Sequence, residues 1–135
     1  MASSYLLAMA LFIDGPTYCN SVSVGEQSIA KIVVEPRMLD AFEAIARARK
    51  KAGKGLGTDW FCPSLQEDAS EVSRDGETNK LLIEYGVSAT DYIIVAWSVI
   101  VALHPEDFEN ARISETNIRL IRKRKPSLIK LLYPE

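Results

Sequence analysis

The sequence predicts an all-α fold, a small orthogonal or irregular helical bundle wrapped round one central apolar helix. Three observations lead there. Residues 92–103, Tyr-Ile-Ile-Val-Ala-Trp-Ser-Val-Ile-Val-Ala-Leu, are apolar nearly all round, and such a helix belongs inside a bundle. Met38, Leu39, Phe42, Ile45 and Ala46 recur at spacings of three and four, which is one face of a second helix. Ser88 and Ser114 stand where helix N-caps belong, with Asp91 and Asn117 three residues further on.

The chain of 135 residues is the size of one domain. Its apolar fraction of 47% and charged fraction of 25% are ordinary for a globular protein. Internal repeats and low-complexity tracts are absent. The net charge of −2 creates no global field towards nucleic acid or an anionic membrane. No apolar run reaches the roughly 18 residues of a transmembrane helix.

Residues 1–22 read as a signal-peptide core or as an apolar segment of the domain itself, with residues 23–135 as a single helical domain. Tyr5 to Ile13 is an uninterrupted apolar block, followed by the helix breakers Asp14, Gly15 and Pro16. Cleavage after Ser21 or Ser23 would leave small side chains where a signal peptidase reads. Residues 2–4 are Ala-Ser-Ser, without the Lys or Arg that usually precedes such a block. On the export reading the protein is periplasmic or secreted; on the other it is cytoplasmic. Cys19 and Cys62 are the only cysteines. They could pair in an oxidising compartment, but with one histidine in the chain they make no zinc site.

Further along, residues 22–33 read as a short strand or an entry turn. Glu35-Pro36 opens the first clear helix, since proline loses nothing at a first turn. Arg47, Arg49, Lys50 and Lys51 load its last turn with cations, and Gly53 and Gly55 end it. Residues 54–78 read as an exposed loop with at most one short helical stretch. Trp60-Phe61-Cys62 is its apolar knot, a pin to the core or else an exposed recognition patch. A helical turn over 79–85 stops at Gly86, and the central helix runs from about Ala89 to Leu103, before His104-Pro105. Ser114 opens a basic helix carrying Arg119, Arg122, Lys123 and Arg124, and Pro126-Ser127 begins a last short one.

The segment Gly86-Val87-Ser88-Ala89-Thr90-Asp91-Tyr92, running into a long apolar helix, resembles a helix entry found in small bacterial hypothetical proteins. Ile113-Ser114-Glu115-Thr116-Asn117-Ile118 is similar to their closing segment. The likeness spans about residues 30–132 without the acidic loop. It implies an all-α fold and frequent export, and it transfers no catalytic residue.

Chemistry-bearing patterns are sparse. His104 is the sole histidine and stands at a helix end, where a capping or surface role is the plain reading. Gly53-Lys54-Gly55-Leu56-Gly57 lacks the spacing of a phosphate loop. Phe12-Ile13-Asp14-Gly15 has the form of a strand ending in a metal-binding Asp, as in some metal-dependent nucleases. No further carboxylate closes a strand to complete such a site. No catalytic, cofactor-binding or metal-binding residue is therefore assigned, and no cofactor.

Charge is segregated along the chain. Residues 57–110 hold eleven acidic side chains and only two basic ones, Arg74 and Lys80. The basic residues cluster at 47–54 and 119–125, as solvated helix ends or, if they share a face, as a surface for an anionic partner. The expectation is a non-catalytic protein that binds a protein partner or an anionic surface rather than nucleic acid. The candidate residues are Trp60, Phe61, Arg119, Arg122, Lys123 and Arg124. A cytoplasmic regulatory or immunity-like module is the alternative, and a nuclease around Asp14 the remote one.

Overall fold

The computed structural model describes residues 20–58, 64–108 and 111–133, with side chains from Glu26 onward. Seven α-helices account for most of them: α1 (Asn20–Lys31), α2 (Pro36–Lys51), α3 (Leu65–Arg74), α4 (Gly76–Tyr85), α5 (Ala89–Leu103), α6 (Glu115–Lys123) and α7 (Lys125–Leu132). A single 3₁₀ turn, Pro105–Asp107, follows α5. No strand occurs among the described residues. The all-α expectation is correct. The apolar block 5–13, Asp14, Cys19 and the knot Trp60-Phe61-Cys62 lie outside the described residues.

Helix α5 is the axis of the bundle. Every residue from Tyr92 to Val99 is buried, and so are Val101 and Ala102. Helices α1, α2, α3, α4 and α6 all pack against it, and α7 packs on α2. Trp97, Tyr92 and Phe42 are the largest fully enclosed side chains. The Phe42 and Tyr92 rings lie tilted with centroids 6.1 Å apart, within the range of favourable aromatic pairs. Ser98, the one polar residue in mid-helix, is buried and donates back to the Ile94 carbonyl at 2.8 Å, so its hydroxyl is satisfied without a partner helix.

The helix starts follow their caps. Pro36 opens α2 after extended Glu35. Ser88 Oγ accepts from the Asp91 amide at 3.0 Å, and Ser114 Oγ from the Asn117 amide at 3.1 Å. Between α4 and α5 the chain turns by 89°. Gly86 makes this corner with φ of 67°, a left-handed conformation that favours glycine. Its amide donates to Ile83 and the Val87 amide reaches back to Leu82, a Schellman arrangement that satisfies the last carbonyls of α4. Arg37 donates to the Tyr85 carbonyl at 3.1 Å and also to that of Gly86, tying the corner to α2.

Two segments depart from the sequence expectation. Residues 22–31 are not a strand or turn: they belong to α1, with Ile29 fully buried, and Ile32 and Val33 begin the linker to α2. Because α1 begins at Asn20, processing after Ser21 or Ser23 would remove part of its first turn. Residues 54–78 are not a single exposed loop. Ser64 caps α3, Asp68 and Val72 turn inward, and α4 begins at Gly76 rather than Asn79.

No single helix among the described residues is long and apolar enough to cross a membrane. The enclosure of α5 makes its aromatic residue decisive. Trp97→Ala should lower the unfolding free energy by about 3–5 kcal/mol in urea titrations; a loss below about 1 kcal/mol would show that α5 is not the centre of the core.

Candidate partner-binding face

The two basic clusters differ in how far the fold has already used them. In the first, Arg49 is buried, 6% exposed, and faces inward. Its Nε donates to the Gly55 carbonyl at 2.6 Å and its Nη1 to Thr78 Oγ1 at 3.2 Å, with Asp75 3.5 Å away. Lys54 pairs with Asp75 at 2.5 Å, and Lys50 donates to the Leu131 carbonyl at the end of α7 at 3.2 Å. Arg47 reaches Glu43 at 3.9 Å. Most of this cluster is thus internal structure. Its cations hold the segment 53–58 against the bundle and join α2 to α4 and α7.

That segment is fixed from the core side as well. Tyr92 Oη donates to the Leu56 carbonyl at 2.7 Å, and Trp97 Nε1 donates to Thr58 Oγ1. Burial keeps the Tyr92 hydroxyl protonated far above its ordinary range, despite the opposing field of Arg49. Gly57 has φ of +91°, and a Cβ there would run into the Val72 side chain, so glycine is required. Thr58 and the α3 cap Ser64 are therefore the two anchored flanks of the segment that carries Trp60 and Phe61.

The second cluster divides. Arg124 is committed to the fold: it donates to Asp40 at 2.8 Å, to Glu43 at 3.1 Å and to the Pro36 carbonyl at 3.3 Å. Burial works against its charge, but the hydrogen bonds it donates to Asp40 and Glu43 outweigh that and raise its pKa. Ser127 adds a 2.9 Å bond to Glu43. Glu43 thus lies between Arg47 and Arg124, so the two clusters meet across one shared carboxylate.

Arg119, Arg122 and Lys123 are different. All three are exposed on α6, and spacings of three and four residues place them on one side of the helix. Among the described residues no carboxylate lies within the 4.0 Å of an ion pair from any of them. Arg122 makes one long contact, 3.5 Å to the Ala102 carbonyl near the end of α5, where a cation suits the helix dipole. The inner side of α6 holds Ile121 and Asn117, both buried. Asn117 Nδ2 donates to the Ile32 carbonyl at 2.9 Å, and its Oδ1 accepts from the Val34 amide at 3.0 Å. This two-way clasp on the linker between α1 and α2 sets how α6 presents its outer side.

His104 terminates α5, and its Nε2 lies 2.6 Å from Tyr133 Oη, with the rings edge to face. Donor atoms of His104, Glu106 and Asp107 lie within 4.8 Å of one another. Glu106 and Asp107 come from one 3₁₀ turn and are open to solvent, His104 precedes that turn, and the tyrosine already occupies one imidazole nitrogen. As a cation site this turn offers few donors and no enclosure.

Asp75 is the titrating member of the Arg49–Asp75–Lys54 cluster. The hydrogen bond from Lys54, then that from Thr78, hold the Asp75 carboxyl at about 2, against an ordinary 3.8, with burial opposing them. A carboxylate whose pKa falls on folding stabilises the fold above its unfolded pKa and loses that contribution as pH drops through the folded value. Wild type should therefore resist urea better than Asp75→Asn at pH 7, and the gap should close between about pH 4 and pH 2; a gap unchanged across that window would remove Asp75 from this role. Compared with known protein families, with characterised proteins and with solved structures, the chain matches none.

Proposed function

We propose that this protein acts by binding an acidic protein partner through the outer side of α6. The observation that carries the reading is the contrast between cations. Arg49, Lys54 and Arg124 are consumed by internal carboxylates, while Arg119, Arg122 and Lys123 stand exposed with none in reach among the described residues. Exposed cations without a carboxylate partner keep capacity for charge-assisted bonds to carboxylates, which arginine can make in bidentate fashion. Export to the periplasm or beyond suits the apolar block at residues 5–13. A cytoplasmic regulatory module would use the same face.

Binding to polyglutamate, followed by fluorescence anisotropy at low and physiological salt, tests the reading. Wild type should bind with an affinity that falls as salt rises. The triple variant Arg119→Glu, Arg122→Glu, Lys123→Glu should lose about tenfold or more. A control reversing Lys51, Lys80 and Lys130, three exposed cations elsewhere, changes the charge equally and should lose much less. Equal losses in both variants would show that binding follows net charge rather than this face.

A further inference from the structure

We infer that the groove beside α6 receives one kind of occupant, an acidic amphipathic helix of a partner protein; this rests on the α6 reading and specifies its partner. The groove has a volume of about 510 Å³ and lies between the C-terminal end of α5, the 3₁₀ turn, residues 111–114 and α6. Val101, Phe108, Ile113 and Ile118 form its apolar lining, and Arg112 and Arg122 belong to its wall. Phe108, Ile113 and Ile118 remain half-buried, so the groove keeps apolar surface in water. Both arginines are exposed, and Arg122 belongs at once to the groove and to the cationic side of α6.

That juxtaposition selects the chemistry. Apolar side chains entering the groove would gain by leaving water. Carboxylates flanking them would meet Arg112 and Arg122 in the groove wall, with Arg119 and Lys123 further along the exposed side of α6. A helix with leucines on one face and glutamates bordering it meets both demands, in the familiar manner of an amphipathic helix laid into a groove. A flat anionic membrane satisfies the cations but leaves a concave apolar groove unfilled. Nucleic acid supplies phosphates without apolar side chains.

The test uses the full chain and a fluorescent synthetic helical peptide with leucines on one face and glutamates flanking them. Two comparison peptides replace all glutamates by glutamine or all leucines by serine. The Leu/Glu peptide should bind at least about tenfold tighter than either. Arg112→Glu, an exposed position outside α6, should cost a similar factor, while Arg119→Glu with Lys123→Glu should cost only about two- to threefold. Circular dichroism and thermal melting verify that each variant is folded. If the Leu-to-Ser peptide binds as tightly and the Arg119, Lys123 variant abolishes it, the groove proposal fails and the α6 reading stands. If Arg112→Glu leaves affinity unchanged, if no peptide binds, or if anionic vesicles bind tighter than the peptide, the groove proposal is overturned. The polyglutamate experiment then decides the α6 reading separately.

Discussion

The structure depends on one constraint: α5 has almost no polar side to offer water. A helix with buried residues at every position from Tyr92 to Val99 must be surrounded, because each apolar side chain left in water forfeits about 1.5–3 kcal/mol. Five helices supply the surround, and the right-angle corner at Gly86 gives the chain room to leave α4 and enter the core. The polar atoms carried into that core are satisfied locally. Ser98 bonds to its own helix, and the Tyr92 hydroxyl and Trp97 indole reach outward to the 53–58 segment. The same side chains that fill the core thus also pin the surface.

The cations follow from this arrangement. With α5 at the centre, α2 and α6 both pack on it and α7 packs on α2. Arg124, at the α6–α7 junction, comes to rest on Asp40 and Glu43 of α2. The turn after α2 brings Arg49 and Lys54 to Asp75 at the junction of α3 and α4. What remains outside these internal pairs on α6 is Arg119, Arg122 and Lys123, bordered by a groove that the meeting of α5 and α6 leaves open. The functional proposal is therefore a remainder argument: it concerns the charge and apolar surface that the fold does not use on itself.

The parts of the fold that were legible in the sequence carry strong local signals. Helices α2 and α5 were placed closely because Pro36, Ser88 and Gly86 mark their borders and their apolar patterns are long. Helix α3 was hidden by its own composition: only Leu65, Ala69 and Val72 are apolar among ten residues. Its signal was present in Ser64 with Glu67 three residues later, a capping pair. Helix α1 is not legible because Val22 and Val24 alternate as in a strand and only Ile29 and Ala30 follow them, too few to set a helical period. The fate of individual cations was not legible at all. Arg49 and Arg124 belong to the same kind of basic run as Arg119 and Lys123, and only tertiary packing decides which of them meets a carboxylate. The groove likewise joins residues from α1, α5 and α6, distant in sequence.

Amide hydrogen exchange along α5 measures the central claim most directly. If this helix is the enclosed axis, the amides of Ile93 to Val99 can exchange only when the whole molecule unfolds. Their protection should then equal the global stability from urea titration and exceed that of every other helix. Exchange of those amides at the rate of the exposed face of α4 or α7 would contradict the account.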